Sequence, residues 1–366
     1  MHLKSKELSK STKTSSQKEA KTSFRRKMLP TSRNRNRGST HITTKTKTMK
    51  KSTLLVFLCL CFLAMNITFH LHQRTLSMFQ LFEKQWTSKH LYDCQKHNKS
   101  SGKEPIFATT SLDPPFSMSI YDPKEDVFVS GHIHRDGCWE CSYVQNMLDI
   151  LSLDPNSYLL DVGGNIGMFT LAAANAQRET FTIEPFQENY SRICESVNKN
   201  SFHDRVHLLT IAATQTELAF RLKIPGENKG GVSVVPVTAD DVDTGNGGDD
   251  AVDIIKGFTI DSLNLPTDRP VVMKMDVERH ELQALLGALE FIREANIVLI
   301  LIEHTTEELQ KDRDGWKKVF DLLSSKGLVP FRLDSGKETE LNPNNLDEWR
   351  HPTYPQFDAI WRKKTD

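Results

Sequence analysis

The sequence lacks a net charge, has few cysteines and holds a single long apolar run. Its 366 residues carry 47 basic and 47 acidic side chains, so overall charge points to no partner, nucleic acid included. Six cysteines in a chain of this length exclude a disulfide-dense miniprotein. Eighteen glycines without a three-residue period exclude a collagen, and one apolar run excludes a polytopic membrane protein. A hydrophobic content of 38% suffices for a packed core, so the chain is not wholly disordered. No internal repeat is present.

The charge balance conceals an asymmetry. Residues 1–51 hold 16 Lys/Arg against Glu7 and Glu19, a net of +14, and the remaining residues carry the compensating −14. This split predicts a basic, disordered tail (1–51) joined to an acidic folded body. Between them, residues 52–71 (STLLVFLCLCFLAMNITFHL) contain no Asp, Glu, Lys or Arg. That length barely crosses a hydrocarbon core of about 30 Å at about 1.5 Å per residue, which suits the thinner endoplasmic reticulum or Golgi membrane. The positive-inside rule keeps the tail cytosolic and the body luminal, hence a single-pass signal anchor. The competing reading is an organellar transit peptide, because the tail is basic, Ser/Thr-rich and poor in acid.

Cys94, Cys138, Cys141 and Cys194 lie in the body, an even number compatible with disulfides in a lumen. Asn98-Lys99-Ser100 and Asn189-Tyr190-Ser191 are glycosylation sequons if the body is luminal. His132, His134, Cys138 and Cys141 fall within ten residues, but zinc knuckles space their ligand pairs further apart, so a disulfide is the plainer outcome and no metal site is assigned.

Residues 72–105 are polar and read as a stem, and residues 106–366 as the globular domain. Strands are predicted at Tyr158–Val162, Thr180–Ile183, Val206–Ile211, Val271–Met275 and Ile297–Ile302. The helices predicted between or after them include Ile166–Ala176, Phe186–Asn198 and Glu281–Ala295. Leu218–Ile224 and Val232–Val237 read as a hairpin, residues 239–250 as an acidic loop, and Val329–Leu333 and Asp358–Trp361 as closing strands. Apolar strands alternating with helices predict a doubly wound, mostly parallel α/β sheet.

The first strand ends in Asp161-Val162-Gly163-Gly164-Asn165-Ile166-Gly167, and Glu184 follows Gly163 by 21 residues at the end of the second. Glycines there allow a tight turn against a ligand, and a carboxylate at the second strand end can accept ribose hydroxyls. A dinucleotide fingerprint needs glycine at i, i+2 and i+5, but from Gly163 those positions include Asn165 and Met168. An acidic residue opening the loop suits a cation, so a sulfonium nucleoside, S-adenosylmethionine, fits better than NAD.

The ordered motifs DVGGNIGMFTL, IEP with Asn189 and Asn200 downstream, FTIDSL and KMDVERHELQALLGA resemble the FkbM-type methyltransferases over roughly Val127 to Trp361. The resemblance implies a seven-stranded, Rossmann-like methyltransferase sheet with a reversed last strand. It also implies methyl transfer to hydroxyl groups, a cofactor loop formed by Asp161, Gly163 and Gly167, and a ribose held by Glu184. Gly137, Trp139 and Glu140 resemble a segment that precedes the loop in this family. The family's usual DVEGHE reads Asp276-Val277-Glu278-Arg279-His280-Glu281, with arginine in place of a glycine.

Ligands of open α/β sheets bind beyond the carboxyl ends of the strands, where Lys274, Asp276, Glu278 and His280 cluster. Glu303 and His304 end the neighbouring strand and are expected at the same crevice. Asp276, His280 or His304 could take a hydroxyl proton, or Asp276 with another carboxylate could hold a divalent cation. The expected protein is a membrane-anchored, S-adenosylmethionine-dependent O-methyltransferase with a luminal body, acting by in-line displacement on a small-molecule or glycan hydroxyl. The alternatives are an NAD-dependent oxidoreductase and a non-catalytic module of the same fold.

Overall fold

The computed structural model describes residues 91–97, 104–224, 231–237, 254–334, 337–350 and 355–364. The basic tail, the apolar segment 52–71, most of the stem and the sequon at Asn98 lie outside the described residues. Among the described residues no helix is long and apolar enough to cross a membrane.

In chain order the elements are β1 (Leu91–Tyr92), β2 (Ile106–Thr109), β3 (Ser117–Ile120), α1 (Val129–Asp136), α2 (Cys141–Ser152), β4 (Tyr158–Val162), α3 (Met168–Asn175), β5 (Glu179–Ile183) and α4 (Gln187–Asn200). There follow β6 (Val206–Leu209), β7 (Ala212–Ala213), β8 (Leu218–Lys223), β9 (Ser233–Pro236), β10 (Ile254–Phe258), β11 (Pro270–Met275), α5 (Glu281–Leu286) and α6 (Leu289–Glu294). The body closes with β12 (Asn296–Thr305), α7 (Thr306–Lys311), α8 (Arg313–Ser325), β13 (Leu328–Asp334), β14 (Lys337–Glu340) and β15 (Gln356–Lys363).

The main sheet has nine strands in the order β1-β6-β5-β4-β11-β12-β15-β13-β14, not the seven expected, and it is mixed. β6, β5, β4, β11 and β12 pair in parallel. β15 runs against both of its neighbours, β12 and β13. The two additional strands are the edges: β14 pairs antiparallel with β13, and β1, placed in the stem by the sequence, pairs antiparallel with β6. Every residue of β4 is buried, as expected of a central strand covered on both faces. One apolar cluster holds Trp316, Phe320, Trp349 and Trp361, and another holds Met118, Ile133, Leu171 and Ile193. Cys94 is disulfide-bonded to Cys194 of α4, which fastens β1's segment to the body, and Cys138 is bonded to Cys141.

Two details depart from the sequence reading for local reasons. The helix expected over 281–295 is broken into α5 and α6 at Gly287, where a Cβ would lie 2.0 Å from the carbonyl oxygen of Thr214. β12 runs on to Thr305, so Glu303 and His304 are consecutive residues of one strand and leave opposite faces. The predicted hairpin is present as β8 and β9, which join β7 and β10 in a second, four-stranded sheet.

Candidate functional site

The glycine loop leaves β4 and is tied to the next strand: the amides of Gly163 and Gly164 both donate to the carbonyl of Ile183, at 2.9 and 3.0 Å. Gly163 has φ 84°, and its Cα packs against the end of β11 so closely that a Cβ would meet the carbonyl oxygen of Asp276 at 1.7 Å. Gly164 faces Thr182, whose methyl carbon would lie 2.5 Å from a Cβ. Both positions therefore require glycine for close approach of backbone segments. The amide of Asn165 donates to Oε2 of Glu184 at 2.7 Å, and that of Phe186 donates to Oε1 at 2.8 Å.

This arrangement opens a cleft beside the loop. Gly163, Asn165, Glu184 and Asn189 line it, as do Asp276, Val277, Glu278 and His280. Ala212, Ala213, Val232 and Val234, from β7 and the segment of β9, add apolar surface. Asn189 is buried on α4 and accepts the hydroxyl of Tyr121 at 2.7 Å. The sequon at Asn189 is thus a buried cleft residue and is inaccessible for glycosylation in the folded chain.

The predicted residues divide. Gly163, Asn165 and Glu184 are brought together with Asp276 and His280 at the cleft. Asp161, Gly164 and Gly167 are not part of its lining. Asp161 is buried beneath the loop, where its Oδ2 accepts the hydroxyl of Thr170 at 2.6 Å, and burial raises its pKa. Gly167, at φ 93°, caps α3. His304 is a correction: it is fully buried, with ring centroids of Trp316, Trp349, Phe357 and Phe320 between 4.9 and 5.9 Å away. The alternation of β12 sends it to the core while Glu303 stays beside Asp276, so His304 has no path to an acceptor hydroxyl.

Burial dominates the electrostatics. It pushes Glu184 up to about 7 against its two amide bonds. Burial and the charge of Asp276 raise Glu278 and Asp358 each to about 7 and Glu303 to about 10. Glu140, held at φ 53° just before α2, is raised to about 8 by burial and by Asp358. His280 is lowered to about 4 by burial, so it is a neutral imidazole at neutral pH; its Nε2 lies 3.3 Å from the hydroxyl of Thr214. Asp276, Glu281 and Glu303 each offer an oxygen within 4.8 Å of the others, a spacing that could admit a cation. Glu281 already has a structural role: its Oε1 accepts the amides of Val277 and Arg279 at 2.8 and 3.2 Å. The zinc alternative at residues 132–141 loses its thiolates to the Cys138–Cys141 bond.

Sequence reasoning missed Asn189 as a cleft residue, the alanines of β7, and Asp358. Asp358 lies opposite Glu303 on the neighbouring strand, a pairing that comes from sheet order and not from local pattern.

Residues 161–329 match the family model described as the methyltransferase FkbM domain. Among solved structures the chain is similar to a methyltransferase FkbM from Methylobacillus flagellatus, at 16% identity over 57% of this chain and 43% of that one, with a TM-score of 0.35. It is also similar to an SAM-dependent O-methyltransferase from Thermotoga maritima, at 9% identity over 62% of this chain and 66% of that one, with a TM-score of 0.31. A third similarity is to a magnesium protoporphyrin IX methyltransferase from Synechocystis, at 10% identity over 61% of this chain and 79% of that one, with a TM-score of 0.29. The chain thus spans less than half the length of the Methylobacillus protein. No curated protein matches it.

Proposed function

We propose that this chain is an FkbM-type, S-adenosylmethionine-dependent O-methyltransferase whose acceptor is a hydroxyl of a glycan. The observation that carries the reading is the cleft itself, which sets the glycine loop and Glu184 on one side and Asp276 on the other. The residues fit the nucleoside. Gly163 keeps the loop flush against β11, where a Cβ would clash, and the Glu184 carboxyl has lone pairs left for ribose hydroxyls after accepting two amides. When bound, the cofactor supplies a methyl group on a sulfonium centre. The protein's part is to orient the acceptor and take its proton. Asp276 and His280 both line the cleft and are the groups placed to do so.

The carboxyl groups of Asp276 and Glu278 in the cleft lining favour a cationic cofactor over the pyrophosphate of NAD. Titration of the full-length chain with S-adenosylmethionine and with NAD by calorimetry tests the reading. Binding of the sulfonium nucleoside, lost in Glu184→Ala, supports it; binding of NAD alone overturns it.

Topology is part of the same proposal: residues 52–71 anchor the chain and the body faces the secretory lumen. The Cys94–Cys194 and Cys138–Cys141 bonds support this, because disulfides persist in oxidising compartments. A body protected from protease in sealed vesicles, with a glycan on Asn98, is the expected result. A protease-accessible body without glycan overturns the luminal assignment.

A further inference from the structure

Lys274 stands two residues before Asp276, so both side chains leave the same face of the β11 end. Its side chain is only 7% exposed. Nζ donates to the carbonyl oxygen of Gly163 at 3.0 Å and to Oδ2 of Asp276 at 2.9 Å. The ring of Phe169, on the helix that follows the glycine loop, has its centroid 5.5 Å from Nζ. One ammonium therefore joins the loop, the helix behind it and the strand that carries Asp276. Burial by itself would favour loss of its proton, but Asp276, Asp161 and Glu140 outweigh that and hold the charge.

The rest of the loop shows why such a contact matters. The amides of Gly163 and Gly164 are used on the β5 side, at Ile183. On the β11 side the backbone contributes the amide of Asp276 donating to the carbonyl of Val162 at 3.0 Å. The carbonyl of Gly163 and the carboxylate of Asp276 meet through Lys274. An ammonium suits this position because it is a compact charge with three donors, whereas a guanidinium is a flat fork of fixed spread.

We propose that Lys274 is a positioning residue that clasps the cofactor loop to Asp276, so that the seat of the cofactor and the acceptor-side carboxylate are held in one arrangement. The inference rests on the S-adenosylmethionine reading of the cleft. A purely charge-balancing or structural lysine would be replaced by arginine without effect on a folded protein; a clasp would not.

The test is calorimetric titration of the full-length chain with S-adenosylmethionine across neutral pH, in the wild type, Lys274→Arg and Lys274→Gln, with folding followed by circular dichroism. Lys274→Arg keeps the charge and loses the fit, and its affinity is expected to fall about tenfold with an unchanged pH profile. Lys274→Gln loses both the ammonium and its bonds to the Gly163 carbonyl and Asp276, and its affinity is expected to fall at least as far as that of Lys274→Arg. Wild-type affinity in folded Lys274→Arg, or in folded Lys274→Gln, overturns the clasp. Where neither variant folds, Asp276→Ala removes the far end of the contact, and undiminished affinity there overturns it equally. A wild-type chain that does not bind S-adenosylmethionine overturns the reading of the cleft and this inference with it; binding with indifferent variants overturns the clasp alone.

Discussion

A methyl group on Gly163 would place its carbon 1.7 Å from the carbonyl oxygen of Asp276. That contact couples the loop that opens the cleft to the strand end that carries its acidic side. Gly163→Ala adds both the clash and a left-handed backbone at φ 84° for a residue with a Cβ. The backbone conformation alone costs about 1–2 kcal/mol. The variant is expected to melt several degrees lower and to lose S-adenosylmethionine binding. An alanine variant with wild-type melting and binding would show that the loop is free to shift.

Glu184 combines a buried carboxyl, raised to about 7, with a place in the cleft. Its ionised form is the better acceptor for ribose hydroxyls, so affinity for S-adenosylmethionine should rise as pH increases through about 7 and fall on acidification below it. Glu184→Gln should weaken binding at pH 8 and flatten the dependence. Isothermal titration at several pH values checks both, and a wild-type curve flat across neutral pH counts against the ribose role.

Arg279 sits at φ 75°, the left-handed region that favours glycine. Its ion pair with Glu307, at 3.6 Å between side chains 65% and 78% exposed, offers little compensation. Arg279→Gly is therefore expected to stabilise the folded chain by about 1 kcal/mol, read as a higher midpoint in thermal unfolding. A lower midpoint would mean that the arginine makes a contribution beyond this ion pair.

His304 is buried among aromatic rings, neither ring nitrogen has a hydrogen-bond partner, and burial lowers its pKa to about 3. The unfolded chain protonates this residue near pH 6.5 and the folded chain does not, so its contribution to stability declines as pH falls from about 6.5 towards 3. The slope approaches about 1.4 kcal/mol per pH unit. His304→Phe removes the titration, and the stability difference between variant and wild type should widen on acidification. Parallel curves in denaturant titrations from pH 7.5 to 5 would refute the assignment.

The bond between Cys94 and Cys194 closes a loop of 100 residues in sequence and fastens the β1 segment to α4. Constraint of the unfolded chain by such a loop is worth about 4.7 kcal/mol in the chain-entropy description. Cys94→Ser should lower the denaturant midpoint markedly, and reductant should do the same to the wild type but leave the variant's midpoint closer to its own starting value. An unchanged midpoint would show that the thiols are not joined in solution.

The parts of the site legible in the sequence were those written in short stretches. The turn Asp161–Gly167 and Glu184, one strand later, announce a turn-and-carboxylate arrangement at the strand ends because strand, turn and helix follow one another within about 25 residues. The parallel strands β4, β5, β11 and β12 were legible for a similar reason, being apolar runs bounded by turns. Positions that depend on a face were harder. Glu303 and His304 were expected together at the crevice, yet a strand sends neighbours to opposite sides, and one went to the cluster near Asp276 while the other went to the aromatic core. The edge strands escaped notice because β1 is only two residues long and β14 is short and wholly polar, and only their partners' register makes them strands.

What the chain's order of residues settles is therefore local: a glycine turn, a carboxylate at the next strand end, a charged motif at the fourth, and the alternation that makes an α/β sheet. What required the folded chain is every relation across the sheet. Lys274 meets the carbonyl of Gly163 across 111 residues, Asp358 lies opposite Glu303 across 55, and Cys94 reaches Cys194 across 100. Periodicity assigns a residue to a face of its own element, whereas the identity of its neighbour depends on strand order and register, which long-range packing selects.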